Sequence, residues 1–586
     1  MSEKIDSKCN RPHSKVTTAQ APRRDVVFAD GLLLPYIICK RESIMSNLVN
    51  TSPILGQKPG TSGLRDKTRI YMQPGYLENF IQSGFNALDG VSGKSLVLGG
   101  DGRFYNQRAI QTILKMAVGN GVARVLVGRD GLLSTPAVSA VIRKHQCDAG
   151  IILSASHNPG GEDGDFGVKF NIANGGPAPE SITNAIYDNT TTITSYRLQE
   201  GEDFDLSTVG ETVLGQTSIE VIDPVDTYAD LMRTLFDYDA IRSLFASGFT
   251  MRFDAMHAIT GPYAKAIIEG ELGAAEGTVL NAVPLPDFGG GHPDPNPVHA
   301  HELMKEMFTA DGPNFGAASD GDGDRNMIVG QHCYVTPSDS LAVLAANAHL
   351  VPGYSDGLSG VARSMPTSRA VDRVAKEAGI PAYETPTGWK FFGNLLDANM
   401  ATLCGEESAG TSSNHVREKD GLWAVLLWLN ILAAKRVSVA ALMQEHWTSY
   451  GRDYYSRHDY EGVDKGAAES LMESLRQSLD KLPGTSVNCL SITAADDFSY
   501  TDPVDGSQSD QQGIRILFGD AARLVFRLSG TGTVGATLRV YMEQFEQESS
   551  RHNEDTQQFL ASLADVAEKL ASISKYLSRD KPDVTT

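Results

Sequence analysis

The chain has 586 residues, 41% hydrophobic and 21% charged, which is enough for several hydrophobic cores and, by length, about four domains. Its 51 Lys and Arg against 72 Asp and Glu give a formal charge of −21, which argues against nucleic acid as a partner because phosphate backbones need basic surfaces. The six cysteines are scattered, and no stretch approaches the roughly 20 apolar residues of a membrane helix. We therefore expect a cytoplasmic protein with reduced thiols and no membrane span.

The first part of the chain differs from the rest. Residues 1–44 are polar, show no sustained helical or strand period, and predict a disordered N-terminal extension. Farther along, short β-rich runs alternate with amphipathic stretches. The clearest strand signals lie at 95–98, 124–127 and 150–153. This alternation predicts an α/β fold built from βα units on mostly parallel or mixed sheets.

Helices and linkers can be placed in the second half. The segment 421–434, GLWAVLLWLNILAA, is apolar nearly all round and predicts a buried helix. A further helix is predicted over 555–576. Linkers are predicted near 195–230, 334–340 and 450–465. No internal repeat is visible in the sequence.

The first chemical motif is SASHNPGG at 154–161, directly after the apolar strand signal AGIIL. A serine on a turn after a strand is exposed for attack or for carrying a phosphoryl group, and His157 beside it can handle protons. The Asn-Pro-Gly-Gly sequence favours a sharp, fixed loop. An ordinary polar turn would explain a Ser-His pair alone, but it explains all eight residues poorly.

The second motif, DGDGDR at 320–325, places Asp320, Asp322 and Asp324 at alternate positions. Three carboxylates can converge only if the loop curls around a cation, and an all-oxygen ligand set suits a hard ion such as Mg²⁺. An EF-hand loop is the main competitor, but Gln331 occupies the position of its bidentate glutamate. The motif therefore predicts a magnesium site.

The third motif, GEESAG at 405–410, places a carboxylate and a hydroxyl two residues apart, at Glu406 and Ser408. On a loop or strand end, these side chains point the same way and can bind neighbouring sugar hydroxyls. The motif is weak by itself.

The fourth motif, RLSGTGT at 527–533, follows a strand signal at 524–526. Its glycines let backbone amides point inward, its hydroxyls add donors, and Arg527 adds a bidentate fork, which together make a phosphate cradle. It is not a Walker A loop, since no Gly-Lys-Ser/Thr follows. A purely structural glycine-rich turn explains this motif equally well when it is taken alone.

Together the motifs resemble the pattern of the α-D-phosphohexomutases. The segments GTSGLR (60–65), SASHNPGG, DGDGDR, GEES and RLSGTG (527–532) occur in the order seen in that family. The intervening sequence is similar to the eukaryotic-type phosphoglucomutase branch, parafusin-like members included, over 45–575. The resemblance implies four α/β domains around a central cleft, three of them similar with mixed sheets and the last a smaller α+β domain.

The same resemblance implies where the domains begin and end. After the extension at 1–44, the expected domains are 45–230 with the phosphoserine loop, 231–336 with the metal loop, 337–452 with the sugar-binding loop, and 453–586 with the phosphate-binding loop.

The resemblance also implies roles for individual side chains. Ser156 would carry the phosphoryl group, and loss of Ser154 alone should leave appreciable activity. The catalytic set would be Ser156, His157, Lys169 and Arg325. One Mg²⁺ per chain would bind Asp320, Asp322, Asp324 and a phosphate oxygen on Ser156. The substrate-binding set would be Arg65, Thr387, Gly388, Glu406 and Ser408, with Lys419, Arg527, Ser529, Gly530 and Thr531 as a clamp for the distal phosphate.

The activity implied is interconversion of glucose 1-phosphate and glucose 6-phosphate, with glucose 1,6-bisphosphate as intermediate and activator. Small sugar phosphates are the expected partners, and the chain would be a monomer or a weak dimer. Two alternatives stay open: a mutase for another hexose phosphate, such as that of mannose or N-acetylglucosamine, and a parafusin-like scaffold. The intact nucleophile, metal and phosphate motifs argue against a scaffold.

Overall fold

The computed structural model describes residues 46–60, 62–529 and 535–586, organised around four main β-sheets. The prediction for residues 1–44 therefore lies outside the described residues. Among those described, no single helix has the length and apolarity to cross a membrane, and Gly421–Lys435 with Val439–Tyr450 meets these criteria only as a pair bent by 85°.

The first sheet has seven strands in the order β2-β6-β5-β3-β4-β9-β8, and β1 pairs separately with β7. The strands of this part, including the separate β1-β7 pair, are β1 (Ser46–Asn50), β2 (Leu64–Lys67), β3 (Ser95–Gly100), β4 (Arg124–Leu132), β5 (Ala149–Leu153), β6 (Asp165–Ile172), β7 (Ser195–Gln199), β8 (Gly210–Leu214) and β9 (Thr217–Ile222). The helices of this part are α1 (Thr68–Tyr71), α2 (Tyr76–Ala87), α3 (Asn106–Gly119), α4 (Thr135–His145) and α5 (Glu180–Thr192).

The second sheet has five strands in the order β11-β10-β12-β13-β14. Its strands are β10 (Met251–Asp254), β11 (Val279–Leu280), β12 (Phe315–Ser319), β13 (Asn326–Gly330) and β14 (Cys333–Val335). The accompanying helices are α6 (Asp226–Leu235), α7 (Tyr238–Ala246), α8 (Thr260–Ala264), the π-helix Lys265–Glu271, and α9 (His301–Met307).

The third sheet has four strands in the order β16-β15-β17-β18. Its strands are β15 (Val361–Ser364), β16 (Ala382–Thr385), β17 (Leu403–Gly405) and β18 (Thr411–Ser413). The accompanying helices are α10 (Pro337–Asn347), α11 (Ala370–Ala378), α12 (Lys390–Asp397), α13 (Gly421–Lys435) and α14 (Val439–Tyr450). Helix α13 is buried from Gly421 to Ala433 and contacts α7, α10 and β13, so the predicted buried helix is confirmed.

The fourth sheet is antiparallel throughout, with six strands in the order β22-β25-β26-β27-β19-β28. The strands of this part are β19 (Arg452–Val463), β20 (Ser486–Val487), β21 (Leu490–Ser491), β22 (Ala494–Asp497), β23 (Tyr500–Thr501), β24 (Gln508–Ser509), β25 (Ile514–Phe518), β26 (Ala522–Ser529), β27 (Ala536–Glu546) and β28 (Val584–Thr585). Its helices are α15 (Lys465–Ser478), α16 (Thr556–Ala571) and α17 (Ile573–Leu577). The helix predicted over 555–576 is thus broken at Ser572, which has a left-handed φ of 49°.

The first three sheets share one arrangement of four consecutive strands. In each, the first strand lies parallel between the second and the third, and the fourth pairs antiparallel with the third. The turn from third to fourth strand holds residues 154–164, 320–325 and 406–410 in the three sheets. Three of the four motifs therefore occupy equivalent positions, a repeat of topology that the sequence does not reveal.

Two of the predicted linkers are wrong. The stretch 195–230 contains β7, β8 and β9, and 450–465 contains the long strand β19. Both stretches are half polar because their strands are covered on one face only: β9 alternates buried and partly exposed residues along its length. The interval 334–340 does hold a short connection, between β14 and α10.

Candidate active site

Residues from all four parts of the fold line one cavity of about 220 Å³. The predicted site residues in its lining are Lys169, Asp324, Arg325, Thr387, Gly388, Glu406, Ser408, Lys419 and Arg527. The lining is rich in charges and hydroxyls, so the cavity suits a small, highly polar ligand.

Ser156 lies next to the metal loop and is buried, not exposed as the sequence predicted, and it does not line the cavity. Its Oγ donates a hydrogen bond of 2.8 Å to Asp320 Oδ2, and the Nδ1 atom of His157 lies 3.5 Å from the Ser156 Oγ. Burial, and then the charges of Arg325 and Arg65, hold the pKa of His157 well below its ordinary value. The serine hydroxyl thus has the carboxyl group of Asp320 and the imidazole of His157 as neighbours.

Asp320, Asp322 and Asp324 form a buried cluster whose ligand oxygens all lie within 4.8 Å of one another. Burial, and then the charges of the other two carboxylates, raises the pKa of Asp320. Burial opposes ionisation of Asp322 as well, but Lys169 and a hydroxyl of Thr135 outweigh it and lower the pKa of Asp322. One oxygen each of Asp322 and Asp324 is buried without a hydrogen-bond partner. Convergent, unsatisfied carboxylate oxygens fit a hard cation, so these residues fit the predicted metal.

Thr135, the first residue of α4, orients one of these carboxylates. Its Oγ1 donates a 2.7 Å hydrogen bond to Asp322 Oδ2, which also contacts Lys169 Nζ, so Oδ1 is left for a cation. Thr135→Val keeps the side-chain shape but removes the donor, so the affinity for a divalent cation should fall about 10-fold. Calorimetric titration with Mg²⁺ measures this, with Thr135→Ser as the control that keeps the hydroxyl. An unchanged dissociation constant in Thr135→Val would contradict the role.

The predicted sugar-binding residues from the third part of the fold line the cavity together. Glu406 Oε1 accepts a 2.9 Å hydrogen bond from the backbone N–H of Gly388, which joins the loop after β16 to the loop after β17. The Oγ1 of Thr387 is buried without a partner, and Ser408 is partly exposed in the lining. These groups offer donors and acceptors to a polyhydroxylated ligand.

Two of the predicted phosphate-binding residues are arginines, and one of them, Arg527, lines the cavity. No carboxylate of the described residues lies within 4.0 Å of a nitrogen of Arg65 or Arg527. Arg527 instead donates to the Gln512 carbonyl at 3.3 Å and to the Tyr541 hydroxyl at 3.4 Å. Guanidinium groups in this state fit phosphate oxygens. Ser529 ends β26 two residues after Arg527, whereas Gly530 and Thr531 lie outside the described residues.

Lys419, predicted as part of the clamp for the distal phosphate, also contacts the metal loop. Its Nζ lies 3.1 Å from Asp324 Oδ2, so it stands beside the metal loop although it lines the same cavity as Arg527. Lys169 approaches the same loop from β6 and contacts Asp322. The two lysines therefore flank the metal loop from different parts of the fold, and both lie within 4.0 Å of Asp324 Oδ2.

Some polar residues of the cavity lining could not be predicted from the motifs. Glu418 and Arg539 line the cavity, and so does Asn171, whose Nδ2 donates to Glu418 Oε1 at 2.9 Å. Burial raises the pKa of Glu418 to about 7. Asn171 follows Lys169 by two residues on β6, and the period of a strand could have identified it. Arg539 lies on β27, and no motif in the sequence singles it out.

Models of known families match nearly all of the described chain. The matching descriptions are Phosphoglucomutase/phosphomannomutase, alpha/beta/alpha domains I, II and III at residues 56–197, 226–333 and 337–450, and Phosphoglucomutase-1, C-terminal domain, at residues 452–583. The chain belongs to the phosphoglucomutase/phosphomannomutase family. The predicted four-domain architecture is thereby confirmed.

Individual relatives agree with this assignment. A phosphoglucomutase of Rhizobium radiobacter is 58% identical, over 92% of this chain and 100% of that protein. A cytoplasmic phosphoglucomutase of Zea mays is 52% identical, over 92% and 98% of the two chains. The open-form crystal structure of the exocytosis-sensitive phosphoprotein pp63/parafusin, a phosphoglucomutase from Paramecium, is 47% identical and superposes with a TM-score of 0.87 over 93% of this chain and all of that one.

Proposed function

We propose that this protein is a phosphoglucomutase, which interconverts α-D-glucose 1-phosphate and glucose 6-phosphate. The observation that carries the proposal is the hydrogen bond of the Ser156 hydroxyl to the aspartate cluster, beside a cavity lined with sugar-binding and cationic groups. Relatives named as phosphoglucomutases that match along their whole length support glucose as the sugar.

In the proposed cycle, Ser156 begins as a phosphoserine and passes its phosphoryl group to the free hydroxyl of the bound sugar phosphate. The P–O bond to Ser156 breaks, a P–O bond to the sugar forms, and the hydroxyl proton moves in net terms to the serine oxygen. His157, within 3.5 Å of that oxygen, is placed to relay the proton. The resulting glucose 1,6-bisphosphate turns around and returns its other phosphoryl group to Ser156.

The charges around the serine suit this transfer. Phosphoryl transfer has a loose transition state with charge spread over the equatorial oxygens, so it depends on positioned cations. Mg²⁺ held by Asp320, Asp322 and Asp324, and completed by an oxygen of the phosphate on Ser156, would supply part of that stabilisation. Lys169 and Arg325 add fixed positive charge beside the same loop. Arg65 and Arg527 are proposed to hold phosphate, at the reacting and distal ends of the ligand.

A coupled assay tests the proposal. Glucose 1-phosphate, Mg²⁺ and a catalytic amount of glucose 1,6-bisphosphate should yield glucose 6-phosphate, detected by its oxidation with a dehydrogenase. Mannose 1-phosphate and N-acetylglucosamine 1-phosphate serve as competing substrates. Absence of turnover with glucose 1-phosphate, or a higher catalytic efficiency with either competitor, would overturn the assignment.

The symmetry of the cycle gives a prediction for Glu406. A useful sugar contact must form in both orientations of the bisphosphate. A carboxylate can accept hydrogen bonds from two adjacent ring hydroxyls in either orientation. Glu406→Gln keeps the shape but weakens these charge-assisted hydrogen bonds, so catalytic efficiency should fall about 10- to 150-fold in both directions. Steady-state kinetics from each hexose phosphate measure this, with the phosphoserine level checked by mass spectrometry. A loss in one direction only would contradict the two-orientation argument.

Location and assembly belong to the proposal as well. Relatives include both cytoplasmic and chloroplastic phosphoglucomutases. We keep the cytoplasm and a monomer or weak dimer as expectations, which cell fractionation and light scattering would check.

A further inference from the structure

We propose that Asp101, Arg103 and Ser154 form a positioning network that holds the backbone of Ser156 in a left-handed conformation and thereby aims its Oγ at the metal loop. The inference rests on the proposed function, because it concerns the rate at which Ser156 exchanges phosphate. None of the three residues touches the cavity, so they are positioning residues and not catalytic ones.

The conformation of Ser156 calls for an external restraint. Its φ is +53°, in the left-handed region, which is sterically unfavourable for a residue with a Cβ atom. A non-glycine residue persists there only where its surroundings outweigh the cost. The same conformation places Oγ 2.8 Å from Asp320 Oδ2.

A closed circuit of hydrogen bonds supplies the restraint. The N–H of Ser156 donates to Ser154 Oγ at 2.7 Å, and Ser154 Oγ donates to Asp101 Oδ2 at 2.6 Å. On the other side, Arg103 Nη2 donates to the Ser156 carbonyl at 2.7 Å, and Arg103 Nε donates to the same Asp101 oxygen at 2.9 Å. Both backbone groups of Ser156 are therefore fixed through one carboxylate.

The circuit is shielded from water and closed by a second part of the fold. The Asp101 and Arg103 side chains are fully buried, and Arg103 packs over the ring of Phe288, 5.2 Å from its centroid. The metal loop packs directly against this backbone at Gly321. A Cβ atom at Gly321 would lie 2.3 Å from the Ser156 carbonyl oxygen, so only glycine fits this close approach. Hydrogen bonds that are shielded from water stay strong and directional. The network therefore fixes the position of Ser156 relative to the aspartates of the metal loop.

The network leads to an expected effect of Ser154 on kcat and not on KM. Loss of the Ser154 hydroxyl removes the acceptor for the backbone N–H of Ser156. A reacting group that is misplaced by about 1 Å can lower the rate about 100-fold. Substrate contacts are untouched, because Ser154 is fully buried and outside the cavity lining. The sequence-based expectation for Ser154 therefore changes: its loss should lower kcat while leaving KM near its normal value.

The test compares three serine and threonine variants with the wild-type protein. Ser154→Ala should lower kcat about 10- to 100-fold, with KM for glucose 1-phosphate changed less than about twofold. Ser154→Thr keeps the hydroxyl and should restore most of the rate. Ser83→Ala is the matched control, since Ser83 is also fully buried but its Oγ has no partner. Rapid-quench phosphorylation of dephosphorylated enzyme by glucose 1,6-bisphosphate should be slowed by a similar factor in Ser154→Ala alone.

The outcomes separate this inference from the proposed function. A kcat of Ser154→Ala within about twofold of Ser83→Ala, or a failure of Ser154→Thr to restore the rate, would overturn the network. A wild-type protein that forms no phosphoserine and turns over no hexose phosphate would instead overturn the proposed function. Arg103→Lys, which keeps the charge but loses the fork, should also lower kcat; if it does not fold, Ser154→Ala still decides the question.

Discussion

Ser156→Ala should abolish turnover, with a loss of more than about 10⁴-fold in kcat, because the phosphoryl group then has no oxygen to occupy on the enzyme. Its effect on folding should be small, since it removes one hydroxyl and leaves Asp320 free to bind a cation. Steady-state assays measure the rate, and intact-mass spectrometry should show a phosphorylated wild type and an unphosphorylated variant.

Binding and phosphate mapping provide the controls for this result. Ser156→Ala should still bind glucose 1-phosphate, since the proposed sugar and phosphate contacts lie on other loops. Phosphopeptide mapping of the wild type should place the phosphate on Ser156 and not on Ser154, whose hydroxyl is buried between Asp101 and the Ser156 amide. A phosphate on Ser154, or appreciable turnover in Ser156→Ala, would refute the assignment.

Asp322→Asn should raise the dissociation constant for Mg²⁺ at least about 100-fold and lower kcat in parallel. Loss of a residue that only supports a metal ligand costs about 10- to 100-fold in affinity, and loss of the charge on the ligand itself should cost more. The change also leaves Lys169 buried beside a neutral amide. Calorimetric titration gives the affinity, and a melting curve distinguishes loss of metal from loss of fold.

The matched control for this carboxylate is Asp163→Asn, at the end of the serine loop, where the side chain is 85% exposed. It should bind Mg²⁺ like the wild type. Chelation should inactivate the wild type and added Mg²⁺ should restore it. Full activity after exhaustive chelation would contradict a metal-dependent mechanism.

Sequence patterns predicted the site best where the functional residues are consecutive or nearly consecutive in the chain. The motifs around Ser156 and Asp322 each fit within a few consecutive residues, and the turn after a strand largely dictates their geometry. The structure brings both motifs together, with Ser156 hydrogen-bonded to Asp320 across 164 positions of chain. Neither motif alone indicates that Ser156 and Asp320 lie close together in space. Only the family resemblance predicted that the two motifs form one site.

What the sequence did not reveal lies in contacts between distant segments. Thr135 supports Asp322, and Arg103 holds Ser156, yet neither stands in a motif with a chemical reading of its own. The position of Lys419 beside Asp324 likewise depends on how two sheets pack. The wrong linker at 450–465 has a related cause: β19 is half polar, and its strand character depends on partners that come from 536–546 and 584–585.

The lysines that flank the metal loop make the charge of the carboxylate cluster a property of the assembled chain. Lys169 comes from the first sheet and Lys419 from the loop before α13, while the carboxylates they neutralise lie in the second sheet. Residues 226–333 in isolation would therefore hold these carboxylates without either lysine beside them. Because buried like charges repel, this neutralisation stabilises the packing of the first and third parts against the second. A cation neutralises the same carboxylates, so withdrawal of either lysine by partial unfolding should strengthen the electrostatic attraction of the loop for a cation.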